Sequence, residues 1–313
     1  MVGGDAHHST VTGRHASVGR IIVTGANGHL GVRLIETLKR DGHELQAVVR
    51  STIAAAALRA SFGVEAGVVD YANSAELAPH LVHADAVVHL VGIIRETLQN
   101  SYVNAHESTC RALVNALAAN ESTPRIVYVS ILGSSAGHSN ACLRSKGKAE
   151  DILLASGLPV TVLQVPMVLG ESDYATFALR KKALSGFSVG FRMASREQPV
   201  YAGDVVNAIR ATVDVAFGRL LLAGPESLSR AELVRRAGLI LGTAPKSLSL
   251  PIGLGRFFVG LLEAILPNPP MTRAMLDVLD HDDVIDPLDT AQRLGIELTP
   301  LDEMLRLVLK PLK

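Results

Sequence analysis

The sequence predicts an α/β fold, in which a doubly wound parallel sheet is combined with a small, mostly helical C-terminal lobe. Short apolar runs alternate with helical patterns, the runs are apolar on both faces, and helices dominate after about residue 170. Strands that are buried under helices on both sides of a parallel sheet are apolar throughout, and regular alternation of strand and helix is typical of that architecture.

Six segments predict the strands of this sheet, because each is short and rich in Val and Ile. They are RIIVT (20–24), LQAVVR (45–50), AGVVD (66–70), DAVVHLVG (85–92), RIVYVS (125–130) and VTVLQV (160–165). Helical patterns lie between them, and the first one ends at Gly42, a typical C-terminal stop. Further helices are predicted at 202–216, 229–242, 254–266 and 301–309, with short strands at 199–201 and 219–224.

The chain has 313 residues, of which 48% are hydrophobic and 19% are charged, so it can bury a sizeable core. We expect a flexible leader over 1–18, a sheet domain over 19–170 and a C-terminal lobe over 171–313 that is interleaved with the sheet domain. The leader has no apolar signal-peptide core.

Charge and cysteine content exclude several classes of protein. Lys plus Arg and Asp plus Glu both total 30, which argues against a nucleic-acid binder, because such proteins carry a basic excess. The two cysteines imply no disulfide framework and favour a reducing compartment, so we expect a cytoplasmic protein. No apolar run is long enough to span a bilayer. The acidic segment 280–286 lacks a regular metal-loop spacing, and we expect no metal site.

The stretch RIIVTGANGHLGVRLIETL (20–38) carries the clearest chemical signal. Gly25 allows a tight turn out of the strand, Gly28 lets the backbone approach a ligand, and Gly31 lets the following helix pack against the strand. Free N–H groups at the start of that helix face an anion. The spacing is Gly-x-x-Gly-x-x-Gly, and its strand–turn–helix context predicts a dinucleotide-binding turn.

The residue at the end of the second strand indicates which dinucleotide binds. An acidic residue there hydrogen-bonds the ribose hydroxyls of NAD. This strand ends in Arg50, whose guanidinium suits a 2′-phosphate, and Ser51 and Thr52 offer further hydrogen bonds. The sequence therefore favours NADP(H) over NAD(H), although an ordinary surface charge at Arg50 is the alternative.

Several motifs together resemble the short-chain dehydrogenase/reductase superfamily, in its extended or atypical branch. They are VTGANGHLG, AGVVD, HLVG, VYVSILG, LRSK, GLPVTVLQVPMVLGESD and PVYAGDVVNAI. The segments PVYAGDVVNAI and LLLAGPESLSRAELVRRAGLILG are similar to nucleoside-sugar epimerase-like members. The segment MTRAMLDVLDHDDVIDP is similar to the group of the nucleotide-binding accessory subunit of respiratory complex I and its bacterial relatives. The resemblance covers about residues 20–310 and implies a Rossmann-type NAD(P)-binding domain.

The resemblance also implies a set of residues that contact the cofactor. The pyrophosphate would be contacted by Gly25, Asn27, Gly28, His29, Leu30 and Gly31, and the adenine by Asp70. The adenine ribose would be contacted by Leu90, Val91 and Gly92. The nicotinamide end would be contacted by Ser130, Pro166 and Val168. Asn104 matches the Asn that opens the fourth helix in many relatives.

The catalytic position departs from the family. Its chemistry uses a Tyr and a Lys four residues later, which share one helix face. Lys146 matches the Lys, but Cys142 occupies the Tyr position. Lys146 at i+4 could lower the pKa of this thiol and make it a proton donor. The competing interpretation, which we favour, is an inert buried thiol.

Other side chains could replace the missing acid, and spacing alone selects none of them: Ser134, Ser135, His138 and Tyr201.

The segment 250–270 is the most apolar of the chain. We expect 254–266 to be core, the wall of an apolar substrate pocket, or a patch for a membrane surface or protein partner.

Three functions follow from these observations. The leading hypothesis is an NADP(H)-dependent oxidoreductase that acts on an apolar small molecule without the usual Tyr. The alternative is a non-catalytic NADP(H)-binding accessory or assembly protein. A weaker alternative is a nucleotide-sugar epimerase, for which Arg192 and Arg196 are the candidate diphosphate ligands. The oligomeric state does not follow from the sequence.

Overall fold

The computed structural model describes residues 19–266, 272, 276–277 and 281–309. The predicted leader over 1–18 and Asp280 of the acidic segment lie outside these described residues. The strands are β1 (Arg20–Thr24), β2 (Glu44–Val49), β3 (Glu65–Val68), β4 (Ala86–His89), β5 (Arg125–Ile131), β6 (Val160–Val165), β7 (Val168–Leu169), β8 (Phe187–Phe191), β9 (Arg196–Glu197), β10 (Val200–Tyr201), β11 (Gly218–Leu221), β12 (Leu228–Ser229) and β13 (Lys246–Leu250).

The helices alternate with the strands in the first half of the chain and dominate its second half. They are α1 (His29–Arg40), α2 (Thr52–Phe62), α3 (Ser74–Leu77), α4 (Thr109–Ala119), α5 (Ala141–Leu154), α6 (Tyr174–Leu184), α7 (Ala202–Thr212), α8 (Arg230–Ile240), α9 (Ile252–Ile265), α10 (Pro287–Leu294) and α11 (Leu301–Leu309). A π-helical turn, Val103–Ser108, runs directly into α4.

The central sheet has seven parallel strands in the order β11-β6-β5-β4-β1-β2-β3. The order reverses between β1 and β4, and a crevice opens at such a point at the carboxyl ends of the strands. The predicted α/β fold with a parallel sheet and a largely helical C-terminal region is therefore confirmed.

Each face of the sheet is covered by its own apolar cluster. On one face α1 and α7 pack together through side chains such as Leu34, Leu38 and Ile209. On the other face α4 and α5 contribute Leu113 and Leu153. Strands with helices on both faces need apolar side chains on both sides, which is why these strands do not alternate in polarity.

The chain returns to the sheet after it has built part of the C-terminal lobe. β11 pairs with β6 at the edge of the sheet, and α7 packs on α1. A third apolar cluster belongs to the lobe, where α6, α8 and α11 pack through residues such as Leu179, Leu233 and Met304. The division into domains at residue 170 stays a prediction.

A polar contact joins α1 to the segment that leads into the lobe. The Arg33 guanidinium donates to the Glu171 carboxylate and to the Glu171 carbonyl oxygen, the latter at 3.2 Å. The Tyr201 hydroxyl donates to the same carboxylate at 2.8 Å. Within residues 19–266 and 281–309, no helix is long and apolar enough to cross a membrane.

Candidate dinucleotide site

A cavity of about 290 Å³ opens at the point where the strand order reverses. Its walls come from the ends of the first four strands, from the loop after β4 and from the π-helical turn. The lining residues are Gly25, Asn27, Gly28, Arg50, Ser51, Asp70, Tyr71, Ala72, Leu90, Val91, Gly92, Ile93, Asn100, Asn104, Ala105 and Thr109. Nine of the cofactor contacts expected from the sequence lie in this lining.

The three glycines of the turn have different structural roles. Gly25 has φ +71°, and a Cβ on it would lie 3.0 Å from the carbonyl carbon of Leu90. A Cβ on Gly31 would lie 2.6 Å from the Ala26 carbonyl oxygen, so α1 can approach the turn only with glycine here. Gly28 lines the cavity, and a Cβ on it would lie 3.3 Å from the Gly25 carbonyl oxygen, which is a tight contact.

The N-terminus of α1 is free to receive an anion. Gly28 is its N-cap, no side chain caps it, and its first turn contains no acidic residue. The first N–H groups of a helix have no intrahelical partner and carry the positive end of the helix dipole. His29, Leu30 and Gly31 supply these groups beside the exposed Asn27. This end of α1 fits a pyrophosphate.

Tyr71 is a site residue that the sequence analysis missed. Its hydroxyl donates to the Val48 carbonyl at 2.9 Å and accepts the Gly25 N–H at 2.9 Å. Burial raises the pKa of Tyr71 to about 12, so the phenol stays protonated and holds the turn. Its position directly after Asp70, at the end of a predicted strand, was the available signal.

Arg50 lies at the cavity with its guanidinium uncommitted. Its side chain is exposed and forms no hydrogen bond or ion pair with any residue that the structure describes. Ser51 follows it and caps α2, accepting the Ala54 N–H at 3.4 Å. An arginine that is held at a cavity wall without a partner fits a phosphate group.

Asp70 lines the cavity on the side of β3. Its Oδ1 accepts the Ala72 N–H at 3.0 Å, and its own N–H donates to Glu76 Oε2 at 2.7 Å. These contacts fix the loop after β3.

Another wall of the cavity is formed by the π-helical turn, where Asn104 donates to Asn100 Oδ1 at 3.5 Å. Such turns often occur at functional sites.

Lys146 is buried behind the cavity. Its Nζ donates to the Val129 carbonyl at 3.1 Å and lies 4.4 Å from the centroid of the Tyr128 ring. A Cβ on Gly92 would lie 2.9 Å from this Nζ, which places the lysine next to the cavity wall. Burial lowers the pKa of Lys146 to about 8.

Cys142 lacks the surroundings of an activated thiol. It is fully buried, and its Sγ lies 3.7 Å from the Ile93 carbonyl oxygen. Burial raises the pKa of Cys142 to about 11, and the opposing effect of Lys146 is smaller. The geometry favours the inert buried thiol over the proton donor.

The structure separates the remaining expected contacts from the cavity lining. Ser130 is buried and donates to Glu150 Oε1 at 2.5 Å, and Glu150 is paired with Arg219 at 2.8 Å. Val168 belongs to β7 and pairs with β10, and Pro166 is half-buried between β6 and β7. These positions as cofactor contacts stay predictions.

The candidate replacement acids are dispersed. Tyr201 is bonded to Glu171, and His138 Nδ1 accepts the Asn140 N–H at 2.9 Å. Ser135 is exposed. Ser134 is buried, and its Oγ has no hydrogen-bond partner among the described residues.

Two buried histidines support the floor of the site, and the sequence analysis did not assign them roles there. His89 lies between the hydroxyls of Thr24 at 2.7 Å and Thr109 at 3.3 Å. His106, in the π-helical turn, bonds the Ile93 backbone at 3.1 Å. Burial lowers the pKa of both imidazoles to about 3, so they are neutral spacers.

The residues proposed for a sugar diphosphate are occupied elsewhere. Arg192 lies 3.8 Å from Asp282, and Arg196 bonds the side chain and carbonyl of Ser227. Within the part of the chain that the structure describes, no group of three His, Cys, Asp or Glu side chains could hold a metal ion.

A parallel sheet with a phosphate-binding turn at its switch point defines a dinucleotide-binding protein of the Rossmann type. The family model described as NAD(P)H-binding matches residues 25–190, more than half of the 313-residue chain. The chain belongs to this NAD(P)H-binding family. The prediction of a nicotinamide dinucleotide is therefore confirmed.

Two curated relatives and one solved structure extend the comparison. The mitochondrial NADH dehydrogenase [ubiquinone] 1 alpha subcomplex subunit 9 of Arabidopsis thaliana is 25% identical over 82% of this chain and 69% of its own. The ceramide reductase of Caulobacter vibrioides is 25% identical over 74% of each chain. The Citrobacter triphenylmethane reductase complexed with NADP(H) shares the fold, with a TM-score of 0.73 and 20% identity over 91% and 99% of the two chains. The predicted resemblance to the complex I accessory group is confirmed.

Proposed function

We propose that this protein is an NADP(H)-dependent oxidoreductase of the atypical short-chain group that reduces an apolar small molecule. The observation that carries the proposal is the uncommitted Arg50 guanidinium at the same cavity as the uncapped N-terminus of α1. The helix N-terminus suits the pyrophosphate and Arg50 suits a 2′-phosphate. NADP(H) carries both groups, whereas NAD(H) lacks the 2′-phosphate.

The chain's residues would hold the cofactor at three places. The N–H groups of His29, Leu30 and Gly31 bind the pyrophosphate, and Arg50 binds the 2′-phosphate. Lys146, next to Gly92, is placed for the nicotinamide ribose. When bound, the reduced nicotinamide supplies a hydride.

The proton has no obvious protein donor. Cys142 is buried with a raised pKa, and Tyr201 is bonded to Glu171. Lys146 is protonated near neutral pH and donates one hydrogen bond to the Val129 carbonyl, but it is buried behind the cavity and does not belong to its lining. This arrangement suits an acceptor whose reduced form takes its proton from water, such as a quinone or an enone. The reductase activities in the names of two similar proteins support reduction as the type of reaction.

The first experiment is titration of the purified protein with NADPH and NADH. The chain contains no Trp, so nicotinamide fluorescence is free of energy transfer from tryptophan. We expect NADPH to bind at least ~10-fold more tightly, since a charged hydrogen bond is worth about 1.5–3 kcal/mol. NADPH consumption with quinones, enones and ketones then tests turnover. Equal affinity for the two nucleotides would contradict the role of Arg50.

The second candidate is a non-catalytic accessory protein that binds NADP(H) for stability. The buried Cys142 in place of Tyr favours it, and so does the likeness to an NADH dehydrogenase subunit. Tight NADPH binding without turnover on any acceptor would select this function.

The two buried, unpaired cysteines suit a reducing compartment, and we propose the cytoplasm.

A further inference from the structure

Helix α9 turns most of its large apolar side chains outward. Gly255 and Val259 are buried, and a Cβ on Gly255 would lie 2.9 Å from the Phe191 ring of β8. Phe257 and Phe258 are 68% and 58% exposed, with their ring centroids 5.7 Å apart. The other exposed apolar residues of α9 are Leu254, Leu261, Leu262 and Ile265.

The ribbon of β8 and β13 extends this surface. Alternate residues of a strand share a face, so Phe187 and Val189 lie on the side of Phe191, which α9 contacts. Phe187, Val189 and Leu248 are exposed. We call the exposed side chains of α9 and of this ribbon the apolar face. Monomeric proteins rarely expose a continuous apolar patch without a function.

Two lysines lie on or next in the chain to the ribbon, and the carboxylate of Asp277 pairs with Arg256 of α9. Lys246 of β13 is paired in register with Phe187, and Lys181 lies in the last turn of α6, which leads into β8. Both lysines are exposed and form no ion pair with any residue in the described ranges. Glu263 is the only acidic residue of α9, and neither β8 nor β13 contains one.

This combination distinguishes between occupants. The buried core of a protein–protein interface is depleted of lysine, because a desolvated ammonium without a carboxylate is unfavourable. An anionic membrane surface accepts both features, since apolar side chains enter the boundary of the acyl chains while lysines remain among acidic headgroups.

We propose that the apolar face docks this protein onto the surface of an anionic lipid membrane. Phe257 and Phe258 enter the lipid, and Lys181 and Lys246 contact the headgroups. The proposal does not depend on turnover, because it concerns a surface outside the lining of the dinucleotide cavity.

The experiment is flotation of the full chain with vesicles of phosphatidylcholine alone or with about 30% phosphatidylglycerol. We expect the protein to float with the anionic vesicles. The double variant Phe257→Ser/Phe258→Ser should lose at least ~10-fold in partitioning, because two buried aromatic side chains are removed from the lipid. Lys181→Glu/Lys246→Glu should abolish the preference for the anionic vesicles. The matched control Val82→Ser/Val215→Ser changes exposed valines outside the apolar face and should float like the wild type.

Circular dichroism and NADPH titration check that each variant is folded. The proposal is overturned if the wild type fails to float with either vesicle, or if Phe257→Ser/Phe258→Ser floats as well as the wild type. A dimer in solution that becomes monomeric in the same double variant, without any flotation, would assign the apolar face to a second copy of the chain.

Discussion

At the scale of single residues, the surroundings of three side chains determine what each can contribute to the site. Arg50 has no partner in the described structure, and Lys146 is almost completely enclosed. Cys142 stands at the position that the resemblance gives to a proton donor, and burial raises the pKa of its thiol to about 11. Variants of Arg50 and Lys146 test cofactor affinity and the pH dependence of stability in separate experiments.

Replacing Arg50 by Ala should weaken NADPH binding by ~10–100-fold and leave NADH binding unchanged within about twofold. The reason is that the guanidinium contacts only the phosphate that distinguishes the two nucleotides, and such a charged contact contributes about 1.5–3 kcal/mol. Fluorescence titration measures both constants. Arg40→Ala, a surface arginine paired with Glu36, is the control and should behave as the wild type.

Replacing Lys146 by Met should stabilise the free protein near neutral pH and weaken NADPH binding. In the folded state the pKa of Lys146 is about 8, below its ordinary value of 10.5. The unfolded chain therefore binds more protons between these values, and the wild type gains stability as pH rises through this window.

The stability advantage of Lys146→Met over the wild type should fall by about 1 kcal/mol between about pH 7 and pH 9. Urea unfolding of both proteins at the two pH values measures this difference, and the other titrating groups cancel in the comparison. A difference that is constant with pH would show that Lys146 keeps its ordinary pKa in the folded protein.

At the scale of elements, the glycine turn combines two functions that substitution can separate. Gly31 allows α1 to contact Ala26, whereas Gly28 faces the cavity. Tyr71 adds a third connection, because its hydroxyl joins the turn to β2. Packing and ligand binding therefore depend on neighbouring but different atoms.

Gly31→Ala should destabilise the protein by about 1–3 kcal/mol, because the added methyl group overlaps backbone atoms that cannot move independently. Gly28→Ala should leave the free energy of unfolding within about 1 kcal/mol of the wild type and weaken NADPH binding, since its Cβ meets a single carbonyl oxygen at 3.3 Å. Chemical denaturation and fluorescence titration report the two effects. If both variants lost stability equally, the separate roles would be refuted.

The sequence was sufficient for most elements of the sheet, because apolar runs and glycine turns are local signals. Gly25, Gly28 and Arg50 were placed at the cavity for the same reason. The π-helical turn and the contact of His106 with Ile93 depend on tertiary packing and leave no periodic signal. The exposure of Phe257 and Phe258 was also undetermined, since a helix that is apolar all round does not show which face is covered.

At the scale of the whole molecule, the cavity is built from segments of β1 to α4 that pack separately against the two apolar clusters of the sheet. A ligand that binds only the folded protein stabilises it by an amount that grows with the logarithm of its concentration. The cofactor should therefore protect the entire fold rather than one loop.

NADPH at about 100 times its dissociation constant should add about 2.7 kcal/mol to the free energy of unfolding and raise the melting temperature by several degrees. Thermal denaturation followed by circular dichroism measures the shift. NADH at the same concentration should give a smaller shift, and Arg50→Ala should remove the difference between them. An unchanged melting temperature with NADPH would contradict binding at the cavity.

The return of the chain to its own sheet affects how the protein is made. A ribosome that has released the chain to about residue 170 has delivered every residue of the cavity lining. At that stage α1 still lacks α7, and β6 still lacks its edge partner β11. Long-range partners that emerge late leave apolar surface uncovered in the nascent chain. We therefore expect the sheet that carries the dinucleotide site to be completed only after Leu221 has been synthesised, although every residue of the cavity lining precedes that point.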